Sequence, residues 1–187
     1  MFTRKALLCA LCIATFGIHA TRAEGPNLGK PISPADLSAW DIDVEPSGGG
    51  LPAGGGTSDQ GAAIFADKCA LCHGDRGEGG VFSSKGAPAA PALVDAKKIN
   101  GIDESTTTIA NYWPYATTLF DYIRRAMPWT EPRSLTNNEV YALTAYILAR
   151  NKLIDPKLIM DATSLPNVQM PNRDGFVPRF PERMPPK

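Results

Sequence analysis

Histidine, excess charge of either sign and long apolar segments are all scarce in this 187-residue sequence, which contains 2 histidines and 19 basic against 19 acidic residues. A balanced charge lacks the basic footprint that binds phosphate backbones, so nucleic acid is not an expected partner. The longest mostly apolar run, residues 6–20, is shorter than the roughly 20 residues that a membrane-spanning helix needs. We therefore expect no permanent membrane anchor.

The apolar run near the N-terminus has the flanking residues of a secretory signal. Arg4 and Lys5 precede it, and Ala23 supplies a small residue where a signal peptidase can cleave. We predict that residues 1–23 are a signal peptide and that the mature chain is periplasmic. Cleavage would remove Cys9, Cys12 and His19. It would leave a single cluster of metal-ligating and thiol side chains, formed by Cys69, Cys72 and His73.

Glycine and proline, with 17 residues each, indicate how the mature chain is divided. We predict a Pro/Gly-rich N-terminal arm over residues 24–56, a compact helical domain over residues 57–151 and a Pro-rich C-terminal arm over residues 152–187. The two arms contain too few apolar residues in a periodic pattern to build a core of their own.

Three helices are predicted inside the central domain. Thr57 or Ser58 can cap a helix that runs to Lys68. Apolar residues at helical spacing predict a second helix over residues 115–126, and a capping box at residues 136–139 begins a third that runs to about residue 150. Residues 74–110 are predicted to be loop-like, with at most a short helix around residues 92–99.

The sequence Cys69-Ala70-Leu71-Cys72-His73 is the motif that carries the chemistry. Two cysteines three positions apart, followed at once by histidine, form the attachment sequence of a c-type haem. One helical turn brings both thiols to the edge of the haem that carries the two vinyl groups, to which they add, and points the imidazole at the iron. A zinc site needs four ligands, whereas the mature chain offers three, and a dithiol redox pair expects a preceding strand. A structural disulfide formed in the oxidising periplasm stays an alternative. We predict one covalent haem c, with His73 as an iron ligand.

The sixth iron ligand cannot be a second histidine once the signal peptide is removed, which leaves methionine, lysine, water or an open position. Met127 lies at a predicted helix end, and Pro128 forces it out of the α conformation. We predict Met127 as the ligand. Met170 also precedes a proline and is an alternative, as are Met160 and Met184, and any of these methionines can simply fill a core.

Four further residues are candidates for contacts around the haem. The carbonyl of Pro91 can accept a hydrogen bond from the second ring nitrogen of His73, which would fix the tautomer, and Leu93 follows it. Trp113 and Tyr115 can hydrogen-bond haem propionates. The simpler alternatives are an ordinary loop proline and plain packing of the pocket.

The order of these motifs resembles the class I cytochrome c fold. The matching residues are Gly61, Ile64, Phe65, the attachment sequence, Pro91-x-Leu93, Met127-Pro128 and a capped helix with Tyr146. The resemblance implies an all-α fold of three main helices around one covalently bound haem, with the first and last helices crossing near Gly61, Phe65 and Tyr146. It also implies His/Met iron and outer-sphere electron transfer.

A narrower resemblance covers residues 28–176. The segments that carry it are Leu28–Pro31, Trp40–Pro46, Gly50–Pro52, Tyr112–Ala116, Asp121–Pro128 and Met170–Phe176. They look like the cytochrome subunits of bacterial molybdenum-cofactor sulfite or sulfane dehydrogenases, whose larger members have two haem segments where this chain has one. The resemblance implies a molybdenum-cofactor subunit as electron donor and another cytochrome or an oxidase as acceptor.

The aromatic residues in the two arms suggest a contact with the electron donor. Trp40 and Phe176 lie in otherwise polar chain, so we expect both arms to wrap the molybdenum subunit. No catalytic base is required of this protein. Three other functions stay open: a general soluble electron carrier, a cytochrome subunit of another dehydrogenase such as a quinoprotein alcohol enzyme, and an enzyme that binds substrate at an open iron position.

Overall fold

The structure is a computed structural model that describes residues 28–79, 90–94, 107–177 and 180. The chain divides into two compact units, residues 1–40 and 41–187. The predicted signal peptide lies outside the described residues. Among the described helices, none combines the length and the apolar character needed to cross a bilayer.

The first unit contains one short helix that the sequence did not predict, α1 (Pro34–Trp40). Ser33 begins it, because its Oγ accepts a hydrogen bond from the Asp36 backbone N–H at 3.1 Å. Pro34 stands at the first helical position, where its missing N–H costs nothing. No residue of α1 is buried. Among the described residues, local capping by Ser33 and Pro34 is what starts this short helix.

The second unit contains the remaining elements. Its helices are α2 (Ser58–Lys68), α3 (Ala70–His73), α4 (Ile109–Tyr112), α5 (Ala116–Ala126) and α6 (Asn137–Arg150). Two residues each form β1 (Gly55–Gly56) and β2 (Met160–Asp161), which pair antiparallel, and a 3₁₀ turn covers Leu165–Asn167. The predicted all-α cytochrome c fold is confirmed, with this small strand pair as an addition.

All three predicted helices are present, and the first and third begin at their predicted caps. Thr57 and Gln60 form a reciprocal capping box at α2, and Thr136 and Glu139 form another at α6. Tyr115 precedes α5 in an extended conformation. Residues 92–94 of the predicted short helix are not helical, and its remainder lies outside the described residues. The short helix α4, in turn, was not predicted.

The crossing of α2 and α6 forms the centre of the core. Gly61 lies against α6 so closely that a Cβ there would overlap the carbonyl oxygen of Ala142. One turn later the rings of Phe65 and Tyr146 meet, with their centroids 5.0 Å apart. This is the crossing that the resemblance implied, and it fixes the direction in which α2 delivers the chain to Cys69.

Residues after α6 differ from the predicted extended arm. Met160, Leu165, Val168 and Met170 are all buried in the same hydrophobic core as the helices. Turns and prolines separate these residues, so they show no helical or strand period in the sequence. This part of the predicted C-terminal arm belongs to the core.

Residues 41–56 of the predicted N-terminal arm also belong to the second unit. Val44 and Leu51 pack against the core, and the Tyr141 hydroxyl donates a hydrogen bond of 2.9 Å to the carbonyl of Pro52. Val44 and Leu51 are thus used within the chain, and the wrapping of a partner by this arm stays a prediction.

Candidate functional site

Cys69, Cys72 and His73 lie in one turn at the end of α2. Cys69 ends α2, its backbone N–H bonding to the carbonyl of Phe65, and the chain then turns into α3. The backbone N–H groups of Cys72 and His73 both donate to the Cys69 carbonyl, at 3.2 and 3.0 Å. Both cysteine side chains are half-buried. The two thiols and the imidazole therefore project from a single compact turn.

The His73 ring is oriented by the backbone of a distant loop. Its Nδ1 lies 3.2 Å from the carbonyl oxygen of Pro91, a contact in which the ring N–H donates. That bond leaves Nε2 as the nitrogen with a free lone pair, which is the form that binds iron. Burial lowers the pKa of His73, so the neutral imidazole is favoured.

Leu93 fixes the loop that carries Pro91. Its backbone N–H donates to the Gly77 carbonyl at 2.8 Å, and its own carbonyl accepts a bond of 2.9 Å from Nδ2 of Asn151. Gly79, at a φ of 69°, passes so close to Pro91 that a side chain there would overlap the loop backbone. Asn151 was missed in the sequence, where its position after α6 indicated only a helix end.

Met127 lies where the sequence predicts, directly after α5. Its backbone is extended, with φ −120° and ψ 145°, and the following peptide bond to Pro128 is cis. The Met127 side chain is half-buried and packs against the core, as do Cys69 and Leu93. The alternatives Met160 and Met170 are buried inside that core, and Met184 lies outside the described residues.

Trp113 and Tyr115 have protein partners in the structure. The Trp113 ring meets Tyr122 edge-on at 5.5 Å, and the Arg173 guanidinium lies 5.2 Å from the centre of the Tyr115 ring. Trp113 also packs against the hydrophobic core, as Met127 does. The contact of Trp113 and Tyr115 with haem propionates remains a prediction.

The chemistry of the donor set fits a covalently attached haem. Burial raises the pKa of the Cys69 thiol to about 11, whereas a dithiol redox centre needs a lowered thiol pKa. Within the described ranges, no three Cys, His, Asp or Glu side chains converge as a zinc site would require. Two thiols and one neutral imidazole in a single turn match the groups that attach haem c and ligate its iron.

Three known proteins and one family resemble this chain. The family model for cytochrome c matches residues 58–151. The thiosulfate dehydrogenase of Stutzerimonas stutzeri is 27% identical over 127 residues, which cover 66% of this chain and 37% of that protein. The thiosulfate dehydrogenase of Psychrobacter arcticus is 29% identical over 89 residues, covering 48% and 24%. The chain thus spans about a third or less of these relatives.

A solved structure extends the likeness beyond the helical domain. It is the sulfane dehydrogenase SoxCD from Paracoccus pantotrophus, one chain of which superposes with a TM-score of 0.73 and 34% identity. The superposition covers 85% of this chain and 75% of that one. It must therefore include residues on at least one side of the region 58–151.

Proposed function

The chain belongs to the cytochrome c family, and from this premise we propose that it is a periplasmic monohaem cytochrome. We further propose that it is the electron-accepting subunit of a molybdenum-cofactor sulfite or sulfane dehydrogenase. Haem c, held covalently through Cys69 and Cys72, supplies a one-electron redox couple when bound. The electron donor is the molybdenum subunit, and the acceptor is another cytochrome or an oxidase.

The residues around the attachment turn define what the protein contributes to this transfer. The Pro91 carbonyl holds the His73 ring in the tautomer that presents Nε2. Met127 would complete the iron coordination, and His/Met ligation raises the reduction potential, as suits an acceptor. A filled coordination sphere leaves the protein to exchange electrons without binding substrate, so substrate chemistry falls to the partner.

The single observation that carries the dehydrogenase assignment is the extent of the likeness to the sulfane dehydrogenase chain. A general electron carrier would be expected to match over the helical domain, which is half of this chain. The match instead covers 85% of it at 34% identity. Residues outside the domain are therefore shared as well, which supports a common type of partner.

Localisation in the periplasm rests on residues 1–23. The charged start, the apolar run and the small residue Ala23 support export through a signal peptide. N-terminal sequencing of the protein purified from its source should begin at or near Glu24. A purified protein that still carries residues 1–23 would contradict this assignment.

The proposed function is tested by purifying the protein from its own periplasm together with whatever remains bound to it. Visible spectra recorded before and after adding sulfite, and separately a sulfane compound, should show reduction of a low-spin c-type haem. The matched control is the cytochrome separated from its partner, which should be reduced by dithionite but not by either substrate. A protein that purifies alone and is reduced by neither substrate would be a general carrier instead.

A second candidate is a cytochrome that acts on thiosulfate by itself. The observation that favours it is that both curated relatives are named thiosulfate dehydrogenases. This function requires an iron position that substrate can reach. Thiosulfate added to the isolated cytochrome would then reduce its haem without any partner, whereas the subunit function predicts no reduction until the partner is restored.

A further inference from the structure

A short segment that we call the strap, residues 42–55, crosses the surface of the second unit between α5 and α6. One end of it is held by the last turn of α5. Nη1 of Arg124 donates to the carbonyl of Ile42 at 3.5 Å, and Nη2 of Arg125 lies 2.6 Å from Oδ1 of Asp43. Nε of Arg125 is at the same time fixed by Asp121 at 2.8 Å. The start of the strap is therefore bound by Arg125, a side chain that Asp121 already orients.

The other end of the strap is held by the first turns of α6. The Tyr141 hydroxyl donates to the Pro52 carbonyl at 2.9 Å, and Nδ2 of Asn137 donates to the Ala53 carbonyl at 3.4 Å. The backbone N–H of Gly55 donates to Oδ1 of Asn138 at 3.0 Å. The Tyr141 ring itself is fully buried, with its centroid 4.4 Å from that of Phe120 in α5.

The strap is a folded turn in spite of its glycine-rich sequence. Glu45 and Gly49 are joined by a backbone hydrogen bond of 2.8 Å, and Leu51 bonds back to Gly48 at 3.2 Å. Gly50, at a φ of 79°, approaches the Asp43 carbonyl so closely that any side chain would overlap it. With Val44 and Leu51 packed on the core, the segment has the internal bonds to act as a spacer of fixed length.

The two helix ends that the strap joins are also the two ends of the loop that carries Met127, residues 127–136. Residues 129–134 of this loop are all exposed, and two of its own bonds are local turns, from Glu131 to Pro128 at 3.0 Å and from Ser134 to Glu131 at 3.3 Å. A loop held mainly at its ends moves when the separation of those ends changes.

We propose that the strap is a positioning segment for Met127. By fixing the last turn of α5 against the first turns of α6, it restrains the loop between them and keeps the Met127 sulfur at the iron. Partners outside the ligand set orient ligands in this way in metal sites generally. The inference rests on the proposed function, because it presumes that Met127 is the iron ligand.

The experiment measures how readily the ferric iron of the haem-loaded full-length protein binds added imidazole, which requires Met127 to leave. Tyr141→Phe removes the hydroxyl that holds Pro52 and keeps the buried ring. Loss of one hydrogen bond should strengthen apparent imidazole binding about fivefold. Tyr122→Phe, which removes a hydroxyl from an exposed ring on α5, is the matched control and should leave binding unchanged.

Asn138→Ala provides a second variant at the same end of the strap, because Asn138 is exposed and accepts a hydrogen bond from the backbone N–H of Gly55 rather than from Pro52. It should also strengthen imidazole binding, and hydrogen exchange should accelerate in both strap variants at the hydrogen-bonded amides of Met127, Glu131 and Ser134. Far-UV circular dichroism establishes that each variant is folded. Strap variants that bind imidazole like the control, with unchanged exchange in the loop, would overturn the inference.

The variant Met127→Leu shows whether a negative result contradicts the positioning role of the strap or the assignment of Met127 as the iron ligand. If the wild-type protein binds imidazole as readily as Met127→Leu, methionine is not the ligand, and the proposed function is wrong at that point. If Met127→Leu binds imidazole far more readily while both strap variants match the control, the ligand assignment stands and only the positioning role of the strap is wrong.

Discussion

Replacement of Glu139 by glutamine should weaken the start of α6 in a pH-dependent manner. Glu139 is the third residue of that helix, and its Oε2 accepts hydrogen bonds from the backbone N–H and the hydroxyl of Thr136, at 2.8 and 2.9 Å. Its Oε1 lies 2.9 Å from Nζ of Lys68 at the end of α2. One carboxylate thus caps α6 and ties it to the helix that leads into the haem attachment turn.

The magnitude follows from the environment of this carboxylate. The hydrogen bond from Lys68 and the bonds from Thr136 lower the pKa of Glu139 from 4.5 to about 2. A shift of that size corresponds to a preference for the ionised form of about 3 kcal/mol. The side chain keeps 26% of its surface in water, and screening reduces the effect, so we expect Glu139→Gln to cost about 1–2 kcal/mol of unfolding free energy at pH 7.

The sign of the pH dependence follows from the direction of the shift. Because the folded-state pKa of Glu139 lies below its unfolded value, its contribution is complete above about pH 4.5 and is lost as the pH falls toward 2. The difference in unfolding free energy between wild type and Glu139→Gln should therefore shrink over this interval.

Urea unfolding followed by far-UV circular dichroism measures this difference between pH 7 and pH 2. Asp59→Asn, which neutralises a carboxylate in the first turn of α2, is the control for loss of charge near a helix start. A double-mutant cycle with Lys68→Gln isolates the ion pair. A destabilisation by Glu139→Gln that is absent at pH 7, or that stays constant down to pH 2, would refute the reasoning.

Two further predictions concern the helix crossing and the iron ligand. Gly61→Ala should lower the free energy of unfolding by about 1–3 kcal/mol in urea unfolding, since the new methyl group would overlap the Ala142 carbonyl and lie 2.7 Å from Cβ of Tyr146. A variant at least as stable as wild type would contradict this helix crossing. Met127→Leu should abolish the absorption band of methionine-ligated ferric haem, whereas the buried Met170→Leu should retain it; the reverse result would reassign the ligand.

Features whose partners lie within a few residues could be predicted from the sequence. The capping box of Thr136 and Glu139 spans four positions, and the attachment motif spans five. The same is true of Met127, whose extended backbone is favoured by the adjacent Pro128. In each case steric and hydrogen-bonding demands act within one turn of chain, so the residue types themselves carry the information.

Contacts between distant segments could not be predicted in this way. The bond from Asn151 to Leu93 joins residues 58 positions apart, and the bond from Tyr141 to Pro52 joins residues 89 apart. Neither asparagine nor tyrosine at such positions indicates its partner, because a donor at a helix surface can be satisfied by any backbone carbonyl or by water. These contacts nevertheless fix the loop that meets His73 and hold the strap on α6.

The segment after residue 151 was predicted to be an extended arm, but its contacts with distant residues make it part of the folded domain. Met160 and Leu165 are fully buried, and Val168 and Met170 are nearly so. Burying an aliphatic side chain of this size stabilises a protein by about 1.5–3 kcal/mol, so these residues together contribute on the scale of a whole domain's stability, about 5–15 kcal/mol. A protein cut after residue 151 would therefore be expected to lose its core.

This dependence decides how partner binding must be examined. Deleting residues 152–187 would weaken binding to a molybdenum subunit whether or not the segment touches it, because the cytochrome itself would unfold. Substitutions at exposed positions outside the core avoid that ambiguity, and Trp129, whose surface is 70% exposed, is such a position. A loss of affinity in a Trp129→Ala protein with wild-type stability and spectrum would be a property of the interface rather than of the fold.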